Sequence, residues 1–452
     1  MTSSTVTADD RLLRAPVGAA VLRLGLPLAF GMASHALVNL VDLALVGQLG
    51  PDAVAAAHVA STINFLPMIL GNGISVATLG ALSRLLGNGD RAAAAGFARR
   101  ALWFALWCGA LVGVATALPA APCVDSVGVT GAVRSGAVHY LVVSNLGCLS
   151  MFALMQATAL MRAAGETLMP IVLLIGANLL NLAFSVVLLF GWPALGIPSV
   201  GVAGAAYAAV AARTAAAVVG VLWLLRARHP LRLRGGRGGP PVAGVLLAGA
   251  WPQCLQIGLR AALVWVLTVF VQQKSGDAGV AAIGVTTRLD TMVLFAGVGF
   301  ASAATTLAGR AVSAGMTDRA RAAGLWAGAQ ALVFGSLLVS LFRWFAVPIL
   351  HRFLPDAGAP IVDAGVHYLT IAAVAQPLAA CALGAMGAVH GAGRMIPPLL
   401  VDLVGFCGLG LAMALAARLE LDFVYAAMVG GTALVAALHL VLVRAGRWAV
   451  PD

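Results

Sequence analysis

Asp52-Ala53-Val54-Ala55-Ala56-Ala57-His58-Val59 recurs as Asp277-Ala278-Gly279-Val280-Ala281-Ala282-Ile283-Gly284-Val285, about 226 residues further along the chain. Downstream, Gly87-Asn88-Gly89-Asp90-Arg91-Ala92 is echoed by Ala314-Gly315-Met316-Thr317-Asp318-Arg319-Ala320. Later still, Arg162-Ala163-Ala164-Gly165 with Pro170 matches His390-Gly391-Ala392-Gly393 with Pro398. Single matches are cheap in a chain rich in Ala and Gly. Three in the same order, at nearly one offset, mark an internal duplication. Between the copies lies Arg226 to Pro241, a linker rich in Arg, Gly and Pro.

The composition says what is duplicated. Of 452 residues 61% are hydrophobic and 10% charged, with a mean hydropathy of +1.00. A soluble chain carries about 25% charged residues, so this is an integral membrane protein. Apolar runs lie near 20–47, 56–83, 95–120, 136–161, 168–191, 200–226, 244–273, 280–308, 320–348, 362–388, 396–417 and 422–443. Each is long enough for one span, and spans of this kind must be helical because lipid offers the backbone no hydrogen bonds. The expected fold is therefore all-α, twelve transmembrane helices in two six-helix repeats. An even number of spans per copy makes the repeat parallel, with a central cleft near the midplane. The expected boundaries are a tail at 1–19, lobes at 20–226 and 244–443, a linker at 227–243 and a second tail at 444–452. Residues 1–19 are polar and basic and read as a cytoplasmic tail, with no cleavable signal.

The net charge of +11 could suggest a nucleic-acid partner, but the placement of the charges argues against one. With the N-terminus in the cytoplasm, nineteen arginines fall in cytoplasmic loops and tails, against four arginines and Lys274 outside. Arg213, Arg260 and Arg288 fall within spans. That asymmetry predicts both termini in the cytoplasm; the expected location is the bacterial inner (plasma) membrane. The six cysteines form no Cys-x-x-Cys pair and read as small buried residues. Trp103, Trp251, Trp344 and Trp448 fall near span ends, as interface anchors do.

Asp42 is a carboxylate inside the first span, in Asn39-Leu40-Val41-Asp42-Leu43-Ala44-Leu45-Val46-Gly47. Such a group costs roughly 2.5–3.5 kcal/mol on insertion scales and usually lines an ion pathway. His35, Asn39 and Asp42 follow i, i+4, i+7 spacing, a polar stripe on one helix face. Asn178, Asn181 and Ser185 form a second stripe on the fifth span. Facing each other, the stripes would trap a proton near Asp42; the alternative is a static hydrogen-bonded brace. Pro27 is either a hinge or a tolerated kink.

Taken together, Pro27 with Asn39-x-x-Asp42-x-x-x-Val46-Gly47-x-x-Gly50, Gly71-x-Gly73 to Ser83-Arg84, Gly87-Asn88-Gly89-Asp90, Arg162 to Pro170, Asn178-x-x-Asn181 and Gly201-Val202-Ala203-Gly204-Ala205-Ala206 resemble the MATE (multidrug and toxic compound extrusion) family over essentially the whole chain. The resemblance implies an efflux antiporter that exchanges protons or sodium ions for amphipathic, often cationic compounds. In some relatives the Asp42 match binds a cation with an Asn, an Asp and a Thr. Here the Asn is Asn181, but the acid's place is held by Ser185 and the Thr's place by Ala209. With one carboxylate left, a sodium site of hard oxygen ligands is weakened. A lone desolvated carboxylate can instead take up and release a proton. Proton coupling is therefore expected, with sodium the alternative and no cofactor. Relatives with a C-terminal coupling site carry a Glu about eight residues after the seventh span's Pro. This chain has Arg260 after Pro252, which resembles the DinF-like (DNA-damage-inducible) branch.

Arg260 and Asp290 are expected at similar depth on adjacent helices, either as a buried ion pair or as substrate contacts. Asp290 holds the repeat position of Asn64. Asp402 is placed near the cytoplasmic interface. Asn64, Tyr140, Met155 and Tyr207, with Met151, Phe184, Met292 and Phe295, are candidates to line a cleft for aromatic or cationic compounds; helix packing is the alternative for each. Competing readings are a lipid-linked precursor flippase of the same superfamily and a major-facilitator transporter. An enzyme is not expected: no nucleophile–base set, metal-spaced His cluster or phosphate loop occurs, and Glu166, Asp318 and Asp356 stand as isolated loop charges. The expected partners are small molecules and the bilayer, with the protein functional as a monomer.

Overall fold

The computed structural model describes residues 11–193, 196, 198–226, 231, 233, 238–353, 358–416 and 420–449. The longer helices are α1 (Val17–Gly47), α2 (Pro51–Ile63), α3 (Phe65–Gly87), α4 (Arg91–Ala117), α5 (Gly131–Leu146), α6 (Cys148–Ala163), α7 (Leu168–Phe190) and α8 (Ala203–Leu224). The second copy supplies α9 (Val242–Gly276), α10 (Ala282–Ser313), α11 (Thr317–Trp344), α12 (Ala359–Ile371), α13 (Ala375–Gly391), α14 (Ile396–Ala416) and α15 (Leu421–Ala445). Among the described residues, ten helices are long and apolar enough to cross a membrane. Two bent pairs, α5 with α6 at 44° and residues of α12 with α13 at 45°, raise the number to as many as twelve.

Local chemistry explains where the helices stop. Asp90 caps α4 by accepting a 2.9 Å hydrogen bond from the Ala93 amide, which satisfies one of the first-turn donors that have no partner inside the helix. The echoed sequences fold alike. The Gly165 amide donates to Arg162 and the Glu166 amide to Met161; the Gly393 amide donates to His390 and the Arg394 amide to Val389. Both turns run through a left-handed glycine, Gly165 at φ 87° and Gly393 at φ 82°, where a side chain would be strained. The second span is interrupted: α2 ends at Asn64, whose own amide bonds back to the Ala60 carbonyl, before α3 begins.

The chain divides into two units by its internal contacts. One holds 1–36, 87–89 and 252–452; the other holds 37–86 and 90–251. The boundary therefore falls inside α1, between Ala36 and Leu37. In the first unit the opening half of α1 joins the main core, where Val21, Ala29, Phe300 and Ala304 are buried together. Gly299 allows that approach, since a Cβ there would lie 2.4 Å from the Ala29 nitrogen. Arg319 donates to the carbonyls of Leu12 and Ala15, and Gln330 donates to that of Gly18 at 2.8 Å. In the other unit α8 packs on α7, α6 and α5. Outward-facing side chains are apolar, as with Trp107 at 74% and Leu118 at 79% exposure, which suits a lipid solvent.

Trp103, Trp251 and Trp344 are exposed, as anchors would be, but Trp448 is buried. Its indole donates to the Leu442 and Val443 carbonyls, so it folds the chain back onto the end of α15 rather than facing an interface. Glu166 and Asp318 are not isolated either. Glu166 accepts from the Trp223 indole at 3.2 Å, and Asp318 pairs with Arg321 at 3.2 Å. Asp356 lies outside the described residues.

Candidate functional site

Asp42 lies near the end of α1, and α7 faces it. The Asn181 side-chain amide donates to Asp42 Oδ2 at 2.5 Å. Asn178, Asn181 and Ser185 recur at helical spacing on α7, so they share that face. Asn178 is buried at 7% exposure and Ser185 at 0%. The Asn181 carbonyl oxygen and the Ser185 hydroxyl are buried without a hydrogen-bond partner among the described residues. A buried polar atom in that state costs about 1–3 kcal/mol. Gly204 on α8 brings α7 into backbone contact, since a Cβ there would lie 2.6 Å from the Leu188 carbonyl oxygen.

The expected site residues separate between the two units. Asp42, Asn178, Asn181 and Ser185 lie together in one; His35 and Pro27 belong to the other. The His35 ring stacks on Phe295 with centroids 6.2 Å apart and planes at 29°. Pro27 sits within an uninterrupted α1. The backbone of Asn39 is helical, but its side chain lies outside those described.

Arg213, noted in the sequence only as an intraspan arginine, belongs with this site. Its guanidinium donates to the Ala209 carbonyl at 3.0 Å and acts electrostatically on Tyr140, Cys148 and Asp42. Its position on α8 became informative only once α5, α7 and α8 were packed together. Of the other candidates in this unit, Asn64 sits at the α2–α3 break with its side-chain oxygen buried and unpartnered among the described residues. The Met155 carbonyl accepts from Ser75 at 2.8 Å. Tyr207 is 3.2 Å from His139 Nε2 and half exposed.

The ion pair expected between Arg260 and Asp290 is not formed. Asp290 is buried and accepts from the Tyr368 hydroxyl at 2.5 Å and the Gln376 amide at 3.0 Å. Arg260 pairs instead with Asp402 at 3.2 Å. Asp402 is fully buried within the protein, and His439 donates to its other oxygen at 2.8 Å. Position along a helix does not determine which neighbouring helix a side chain turns towards.

A family model described as MatE matches residues 27–187 and 252–415. A probable multidrug resistance protein NorM of Deinococcus radiodurans is 28% identical over 405 residues, covering 87% of each chain. A multidrug resistance protein NorM of Burkholderia vietnamiensis is 26% identical over 429 residues, covering 90% of this chain and 88% of its own. Among solved structures, an outward-facing multidrug resistance MATE family transporter of the MOP superfamily superposes with a TM-score of 0.89 at 21% identity, over 97% of this chain and 98% of its own. A MATE crystal structure in complex with MaL6 gives 0.88 at 22% identity with the same coverage.

Proposed function

This chain belongs to the MatE family, and from that premise we propose that it is a proton-coupled exporter of amphipathic, often cationic compounds. The observation that carries the proposal is the Asn181–Asp42 hydrogen bond on a face whose second carboxylate position is Ser185. One acid held by an amide donor, beside an unpartnered hydroxyl and amide oxygen, suits a group that gains and loses one proton. Sodium would need several oxygen ligands and more negative charge. The Arg213 guanidinium also acts on Asp42, a fixed positive charge that opposes uptake of any second cation there, proton and sodium alike.

In the proposed cycle Asp42 takes up a proton from outside, the Asn181 hydrogen bond rearranges, and substrate leaves. Asp42 is then exposed to the cytoplasm and releases the proton, so the proton gradient drives export by alternating access. The family resemblance supports a bacterial plasma-membrane location, and the arginine asymmetry supports cytoplasmic termini. Arg260, where other relatives carry a coupling Glu, is tied to Asp402; this supports reliance on the Asp42 side, as in the DinF-like branch.

The test is dye-cation efflux from proteoliposomes under an imposed pH gradient or sodium gradient, for the native chain and Asp42→Asn. Transport driven by the pH gradient and lost in Asp42→Asn is the expected result. Sodium-driven transport without a pH gradient would overturn proton coupling. Movement of a lipid-linked precursor instead of any dye would replace export with flipping.

A further inference from the structure

Arg213 is a charge that the cycle above leaves unexplained. It stands at the middle of α8, a helix of 22 residues, so at 1.5 Å per residue it lies about 15 Å from either end. An arginine side chain is too short to carry its charged head to an interface from that depth. A charge at the centre of a span is also costly, roughly 2.5–3.5 kcal/mol on insertion scales, and marks a substrate or ion pathway unless it is paired.

The surroundings of Arg213 do not pair it. Among the described residues its one hydrogen bond runs from Nε to the Ala209 carbonyl, a turn back on the same helix, at 3.0 Å. No carboxylate among them lies within ion-pair distance of it. Asp42 acts on it electrostatically, as do Tyr140 and Cys148, but Asp42 Oδ2 is held by Asn181. The fold turns the guanidinium towards this region. Val210 fills the space beside Gly147, at the bend between α5 and α6, where a Cβ would lie 2.2 Å from its Cγ2. Arg213, one turn further on, shares that side of α8. Gly204 abuts Leu188, and counting along the antiparallel α7 and α8 from there brings Arg213 level with Asn178 and Asn181. One carboxylate and one guanidinium therefore share a polar region without an ion pair between them.

We propose that Arg213 is a specificity-determining residue that binds an acidic group of the exported compound while Asp42 faces its amine, so that zwitterionic amphiphiles are preferred over plain cations. A guanidinium takes the two oxygens of a carboxylate through parallel N–H donors, a geometry that an ammonium group cannot copy. The two Nη groups of Arg213 donate to nothing among the described residues and supply that fork. The proposal deepens the export reading and rests on it. The competing role is a counterion for Asp42, in which case Arg213 would act on every substrate alike.

The test is fluorescence anisotropy of two matched rhodamines on the full-length chain in phosphatidylcholine nanodiscs at neutral pH, corrected for empty discs. One dye carries a free carboxyl group and is a zwitterion; the other is its methyl ester, a plain cation. The native chain should bind the acid more tightly than the ester. Arg213→Gln should lower the ratio of the two affinities by about tenfold or more, as expected for the loss of one charged hydrogen-bonded pair. Arg213→Lys should keep an intermediate ratio, because it retains the charge without the fork. A native chain that binds the ester as tightly as the acid would overturn the proposal. So would a ratio that Arg213→Gln leaves unchanged; if that variant does not fold, the ratio in Arg213→Lys decides, and no change there overturns the proposal equally. Ester export driven by the pH gradient without any preference for the acid sinks this proposal alone. If neither dye binds, the export reading fails and takes this one with it.

Discussion

Ser185 shows how much one side chain can decide. It sits fully buried on the Asp42-facing stripe of α7, at the position where the resemblance places a second carboxylate in some relatives. On the proposed proton-coupled reading, Ser185→Asp is expected to add a sodium dependence to transport, measured as dye efflux against sodium concentration at fixed pH. The opposite change, Asn181→Leu, removes the donor to Asp42 Oδ2 and should slow pH-driven efflux while leaving the protein folded. At the end of the short helix Ala120–Asp125, Asp125 accepts a bidentate pair from Arg134 at 2.5 and 2.9 Å, and that hydrogen bonding lowers its carboxyl below the usual range. A depressed folded-state value means that any stabilisation holds above the ordinary carboxylate range and is lost as the pH falls through it. Both partners are well exposed, so the Asp125→Asn melting curve should nearly match the native one at neutral pH.

At the scale of elements, the contacts that matter are backbone approaches and buried pairs. The opening half of α1 reaches α10 because Gly299 has no side chain. Gly299→Val would force a methine carbon onto the Ala29 backbone, and overpacking of this kind costs about 1–3 kcal/mol or more. A lower melting temperature in detergent is the expected outcome; an unchanged one would show that the helices can part without loss. Breaking a fully buried ion pair costs about 3–5 kcal/mol, whereas replacing both partners with apolar residues is often neutral. Arg260 is partly exposed, so Arg260→Met should fall below that range. The double variant Arg260→Met with Asp402→Leu should recover part of the loss, read as a thermal-melting cycle.

For the whole molecule, the arginine asymmetry makes a topological statement that side-specific labelling can check. On a cysteine-free background, Asn88→Cys should react from the cytoplasmic side and Val127→Cys from the outer side; both positions are exposed. Labelling of both from one side would overturn the arrangement. The duplication also explains why the echoed loops carry the same glycine turns.

The amino-acid sequence alone determined the class of fold, the approximate number of spans and the duplication. These follow from one-dimensional facts: apolar run length against bilayer thickness, and ordered echoes at a constant offset. It also singled out Asp42 and the α7 stripe, because helical periodicity places i, i+3 and i+7 residues on one face wherever the helix lies. Tertiary structure alone decided that Asn181 holds Asp42, that Arg213 acts on the same site, and that Arg260 meets Asp402 instead of Asp290. It also placed Trp448 inside and His35 with Phe295. Periodicity fixes a face but not the direction in which that face is turned. Pairing between helices far apart in sequence depends on rotation and crossing, which no local pattern encodes.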